Sequence, residues 1–87
     1  MIKPSLTLTV EVASMAQGVD TLHIKKGVDL WGIVRWFKDK EEFELRLGNW
    51  YTYHKTMQDL CAWVRHCLSE AYRDVDIVQK TGDLCYK

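Results

Sequence analysis

The side chains able to bind a metal or act as nucleophiles are few: Cys61, Cys67 and Cys85, with His23, His54 and His66. A zinc site draws its Cys and His donors in pairs two to four residues apart, because one short loop must bring both to the ion. Cys61 and Cys67 are six apart, about 240° around a helix, and the adjacent His66 and Cys67 point in different directions. The spacing therefore predicts no metal, no disulfide and no cofactor, with Cys61 and Cys67 as thiols on a buried helix stripe. A cysteine nucleophile needs a histidine base and a third group to orient it. Only tertiary structure would bring Cys85 to His23 or His54. Ser5, Ser14 and Ser69 lack a nucleophile elbow. Asp39, Glu41, Glu42 and Glu44 cluster at a predicted turn and Asp74 and Asp76 follow a predicted helix. General acid–base work needs a desolvated carboxyl instead. The five glycines form no phosphate-cradling GxxxxGK or GxGxxG loop. These residues read as a non-enzymatic chain.

What the chain does carry is aromatic surface. Trp31, Trp36, Trp50 and Trp63, with Phe37, Phe43, Tyr51 and Tyr53, all lie between positions 31 and 63. A chain of 87 residues forms one domain, 1–87, with a thin core. Surplus aromatic area must then be packed, self-paired or offered to a partner. Lys plus Arg and Asp plus Glu are both 12, without the basic excess of a duplex-DNA binder. That balance points to a protein or small-molecule partner. No apolar run is long enough to span a bilayer. An odd, sparse cysteine set reads as free thiols in a reducing cytoplasm.

Periodicity supplies the elements. Leu6, Leu8, Val10 and Val12 alternate with Thr7, Thr9 and Glu11, a half-buried strand. Ser14 to Gly18 reads as a loop, and Leu22 and Ile24 mark a second strand. Leu30–Phe37 and Glu42–Leu47 flank the charged turn Lys38–Glu41 and make the strongest hairpin in the chain. Its register sets Trp36 opposite Phe43, Val34 opposite Leu45, Gly32 opposite Leu47 and Arg35 opposite Glu44. Gly48-Asn49 is a second turn leading to a short strand, Trp50–Tyr53. Thr56 is the expected N-cap of an amphipathic helix over about 57–72, Asp59 completing a capping box with a shorter acid. Val75, Ile77 and Gln79 alternate again, and Leu84-Cys85-Tyr86 reads as a final strand. The expected fold is α+β, a small antiparallel sheet of four to six strands with one helix packed on one face.

One helix covers one face. The other face of the central hairpin carries Trp31, Ile33, Arg35 and Phe37 beside Glu42, Glu44 and Arg46. Aromatic anchors beside Arg with a charged rim have the composition of binding hot spots. Trp31, Ile33, Arg35, Phe37, Glu44 and Arg46 are therefore the candidate partner-binding residues. A strongly curled sheet would instead bury both faces, and a register shift of one residue would exchange them. In scale and layout the chain resembles the small α+β proteins encoded by phages and mobile elements, such as anti-CRISPR and other anti-defence inhibitors. Immunity proteins that cap a toxin have a similar scale. The resemblance rests on size, layout and absence of catalytic motifs. It implies a viral inhibitor that occupies a surface of another protein, and it carries over no residue. A single-stranded nucleic-acid binder and a homodimeric structural protein are the alternative readings.

Overall fold

The computed structural model describes residues 2–80. The predicted strand Leu84-Cys85-Tyr86 lies outside them. Strands β1 (Ser5–Ala16), β2 (Val19–Lys26), β3 (Asp29–Phe37), β4 (Glu42–Leu47) and β5 (Trp50–His54) precede helix α1 (Met57–Leu68) and strand β6 (Asp74–Lys80). They form one six-stranded sheet in the order β5-β4-β3-β2-β1-β6.

The first five strands are a meander, each turn cut short by a residue suited to it. Gly48, at φ +61°, opens the two-residue turn between Leu47 and Trp50. A side chain at that φ is strained, and glycine in this first central position is the type II′ signature that matches strand twist. The charged turn after β3 closes with Glu41 at φ +50°. The β3–β4 register is the predicted one, with Trp36 opposite Phe43, Val34 opposite Leu45 and Arg35 opposite Glu44.

The last strand departs from expectation. β6 pairs with β1 in parallel, Leu6 opposite Val75 and Leu8 opposite Ile77, so the sheet is mixed rather than antiparallel. Parity explains it. β5 runs in the direction of β1, α1 reverses the chain, and β6 returns in β1's direction at the edge the meander left open. Ser14 to Ala16 also belong to β1 rather than to a loop. The ladder skips Ala13, pairing Val12 with Leu22 and Ser14 with Thr21, so strand pairing continues through a bulge.

The helix begins as predicted, with the Thr56 hydroxyl accepting from Asp59 N–H at 3.0 Å. It ends at Leu68, four residues short of the expected 72. Ser69 turns its N–H (3.3 Å) and its hydroxyl (2.8 Å) to the His66 carbonyl, a local bond that competes with helix continuation. Arg73 N–H then donates to Pro4 C=O at 2.9 Å and steers the chain beside β1.

Leu6, Leu8, Val10, Leu22, Ile24, Val34, Phe43 and Leu45 from the sheet meet Met57, Leu60, Cys61 and Val64 from α1. Burying a Leu or Phe side chain contributes roughly 1.5–3 kcal/mol, so this single layer is the main source of stability. Helix α1 contacts β4, β5 and β6, although β5 and β6 are opposite edges. On a flat sheet those edges would lie roughly 24 Å apart, about twice the diameter of a helix. One helix reaches both because the sheet curls around it. Cys67, expected on the buried stripe, is exposed, and Leu30, at the start of β3, is 51% exposed. Leu30 is displaced by a second irregularity, where Ile24 pairs with Gly32 but Lys25 with Leu30, leaving Trp31 as the extra residue.

Candidate protein-binding face

The convex side of the sheet, away from α1, is built from three cross-strand rows. They are His23–Ile33–Arg46–Tyr51, Thr21–Arg35–Glu44–Tyr53 and Val19–Phe37–Glu42. Strand alternation puts these side chains together, because the intervening residues Val34, Phe43 and Leu45 are committed to the core. Ile33, Arg35, Phe37, Glu44 and Arg46 therefore share one face, as the sequence predicts.

Their roles are unequal. Glu44 is buried, 6% exposed, and accepts from Arg35 Nε at 2.9 Å and Nη2 at 2.5 Å. A carboxylate held by two charged donors is satisfied inside the molecule, so this pair stiffens the face rather than reaching for a partner. Phe37 is half-buried, with Arg35 and Lys40 over its ring at 5.3 and 5.6 Å. Arg46 is exposed, stacks 5.7 Å from the Tyr51 ring centre and donates from Nε to Gly48 C=O at 3.2 Å. No acidic side chain among the described residues pairs with its fork.

Trp31 departs from the simple alternation. As the extra residue of the bulge it is half-buried and packs against the core cluster. It also lines an open hollow of about 290 Å³ with Leu30, Gly32, Ile33, Arg46 and Gly48. Three apolar side chains, Leu30, Trp31 and Ile33, and one cation, Arg46, contribute to its lining.

The most exposed aromatics are ones the sequence did not assign to the site: Trp50 (69%), Tyr53 (58%) and Tyr51 (49%). All three lie on β5, an edge of the sheet. The signal was present in the sequence, since a five-residue strand rich in aromatics is fully packed only between two neighbours. What could not be read is that, among the described residues, β5 has a neighbour on one side alone.

On the core side, one arrangement has the order of a nucleophilic relay. Thr52 Oγ1 lies 2.9 Å from His54 Nε2, and His54 Nδ1 lies 2.7 Å from Asp59 Oδ2. A carboxylate only accepts, so Nδ1 carries the proton. Hydroxyl, imidazole and carboxylate in series can activate a nucleophile when substrate reaches the hydroxyl. Here the ring is buried, beside Trp63 at 5.9 Å. Neither the hollow at Trp31 nor the groove between α1 and β6 is lined by these residues. The arrangement instead ties the end of β5 to the first turn of α1, and the Asp59 carboxylate turns to His54 rather than back to the cap.

That α1–β6 groove, about 490 Å³, is lined by Thr56, Met57, Gln58, Cys61, Arg65, Ile77 and Gln79. Burial pushes the Cys61 thiol up, and nearby Arg65 opposes the shift only in part. Arg65 Nε donates to Val75 C=O at 3.2 Å. A thiol held in its protonated form is a poor nucleophile. Among the described residues no group of three or more Cys, His, Asp or Glu is placed to hold a metal. No helix among them is long and apolar enough to cross a membrane. No protein-family model matches the chain, and comparisons with curated proteins and with solved structures likewise give no match.

Proposed function

We propose that this chain is a non-enzymatic protein-binding module, an inhibitor of the anti-defence type that acts by covering a surface of a target protein. The observation that carries the reading is the convex face. A solvated sheet face is ordinarily polar, yet here Ile33, Phe37, Tyr51 and Tyr53 are interleaved with Arg46 and lie open or half-open beside the Trp31 hollow. Aromatic anchors with an arginine and a polar rim are what interface centres use. Trp31, Ile33 and Phe37 supply apolar contact, and Arg46 supplies a charge for an acidic group on the target. Arg35 and Glu44 hold the face in shape.

The test is capture of a host protein by the purified chain, with and without nuclease, compared between wild type and Ile33→Ser, Phe37→Ala and Arg46→Glu. The expected result is one stoichiometric protein that survives nuclease and is lost from the variants while their melting temperatures stay within a few degrees of wild type. Capture unaffected by all three variants overturns the reading. A second reading is favoured by Arg46 over Tyr51 beside the exposed Tyr53, a platform on which single-stranded bases stack. It predicts that captured material is lost with nuclease and that affinity falls steeply with salt. The glutamates of the same face and the zero net charge count against it.

A further inference from the structure

We infer that a second copy of this chain pairs with β5, antiparallel, about a two-fold axis through Thr52. The strand is Trp50-Tyr51-Thr52-Tyr53-His54, a near-palindrome of aromatic rings about one small residue. Antiparallel pairing of two identical strands matches residues whose numbers sum to a constant. With Thr52 on the axis, Tyr51 faces Tyr53 of the other copy, and Trp50 faces His54.

The hydrogen-bond pattern permits this register. Leu47 and Trp50 flank a two-residue turn, so they form a hydrogen-bonded pair, and the pattern then alternates along the strand. The backbone groups of Trp50, Thr52 and His54 therefore face β4. Those of Tyr51 and Tyr53 face outward, along the open edge of the sheet. In the two-fold pairing these are the residues brought opposite one another, and they exchange four main-chain hydrogen bonds.

Electrostatics favours a second copy over a charged peptide. No residue of β5 is a Lys, Arg, Asp or Glu, and the strand has neither the Pro nor the bulge by which exposed edges are normally guarded. Strand β6, the other end of the sheet order, carries Asp74, Asp76 and Lys80. In the proposed register Lys55, the first charge beyond β5, faces Asn49 of the other copy, so no like charges meet. Cross-strand aromatic pairs contribute roughly 0.2–1 kcal/mol each, and Tyr51 against Tyr53 occurs twice by symmetry.

Area sets the strength. Taking ~200 Å² per aromatic side chain, the exposed fractions of Trp50, Tyr51 and Tyr53 amount to roughly 350 Å² per copy, below the ~800 Å² per partner of a standard interface. The dimer is therefore weak and dependent on concentration. It joins two six-stranded sheets edge to edge and sets their convex faces side by side, so that a target with repeated sites is held by both copies.

Sedimentation equilibrium between about 5 and 500 µM tests the inference. Wild type should rise from 10.2 kDa toward twice that mass. Tyr53→Lys adds a charge to the edge, and Tyr53→Pro removes an outward N–H that β4 does not use; each should weaken self-association at least tenfold. Circular dichroism checks their folding, and Tyr53→Lys decides the matter if the proline variant unfolds. Phe37→Ala, away from the edge, should dimerise as wild type does. In a Cys67→Ser, Cys85→Ser background, Thr52→Cys should form a disulfide dimer, because residues on the axis sit ~4.5 Å apart at Cα. A monomer at every concentration, or a dimer indifferent to both Tyr53 variants, overturns the inference.

Discussion

At the scale of single residues, the two arginines of the convex face separate stability from recognition. Arg35 holds a buried carboxylate, whereas Arg46 is exposed, donates to a turn carbonyl and stacks on Tyr51. Arg35→Ala leaves Glu44 desolvated and unpaired, and should cost about 1–3 kcal/mol in urea unfolding. The Arg35 side chain is itself 46% exposed, which holds the figure below that of a fully buried pair. Arg46→Ala should change stability by less than ~0.5 kcal/mol while weakening target capture. Equal losses of stability from both would contradict this division. Cys61 gives a pH dependence whose sign is fixed. Its folded thiol keeps its proton above the ordinary value of 9.0, where the unfolded chain releases one, so unfolding is favoured as pH rises past that value. Denaturation midpoints between about pH 8 and 10 should fall more steeply for wild type than for Cys61→Ala.

At the scale of elements, the turns and the cap do more than join strands. Gly48 at φ +61° sets the register that turns Tyr51 and Tyr53 outward. Gly48→Ala should destabilise by about 1–2 kcal/mol, the cost of a left-handed non-glycine residue, read from the thermal midpoint. Thr56→Ala removes the acceptor for Asp59 N–H and should cost about 1 kcal/mol. Because Asp59 also holds His54, loss of this cap should loosen the β5–α1 junction. Faster amide exchange at Lys55 and Thr56 than in the β1–β2 ladder would report it.

At the scale of the whole molecule, one layer of core carries the fold, so the two faces of the sheet respond differently to truncation. Leu8, fully buried on β1 within the core cluster, should lose about 2–5 kcal/mol on conversion to Ala. Ile33→Ala, on the half-open convex face, should lose clearly less and show its effect in binding. A comparable loss at Ile33 would make that face a second core and remove the basis for an interaction surface. Curl allows this asymmetry: closing around α1 buries the centre of the concave side and spreads the convex side open.

Much of the architecture was legible locally. Alternation in Leu6–Val12 and the hydrophobic set opposite Lys38–Glu41 fixed which side chains face the core, because strand period and turn length leave one register that buries Val34, Phe43 and Leu45. The Thr56 cap and the stripe through Met57, Leu60, Cys61 and Val64 were equally readable from short-range bonding and helical spacing. The sequence by itself thus determined the elements and their faces. Only tertiary structure decided that β6 runs parallel to β1, since that follows from which edge stays open after a five-strand meander. It also decided that a skipped pairing at Trp31 throws Leu30 outward and that Cys67, in the last turn of α1, is left exposed. Above all it left β5 with one neighbour among the described residues, because the order of strands in a sheet depends on contacts between distant segments that no local period records.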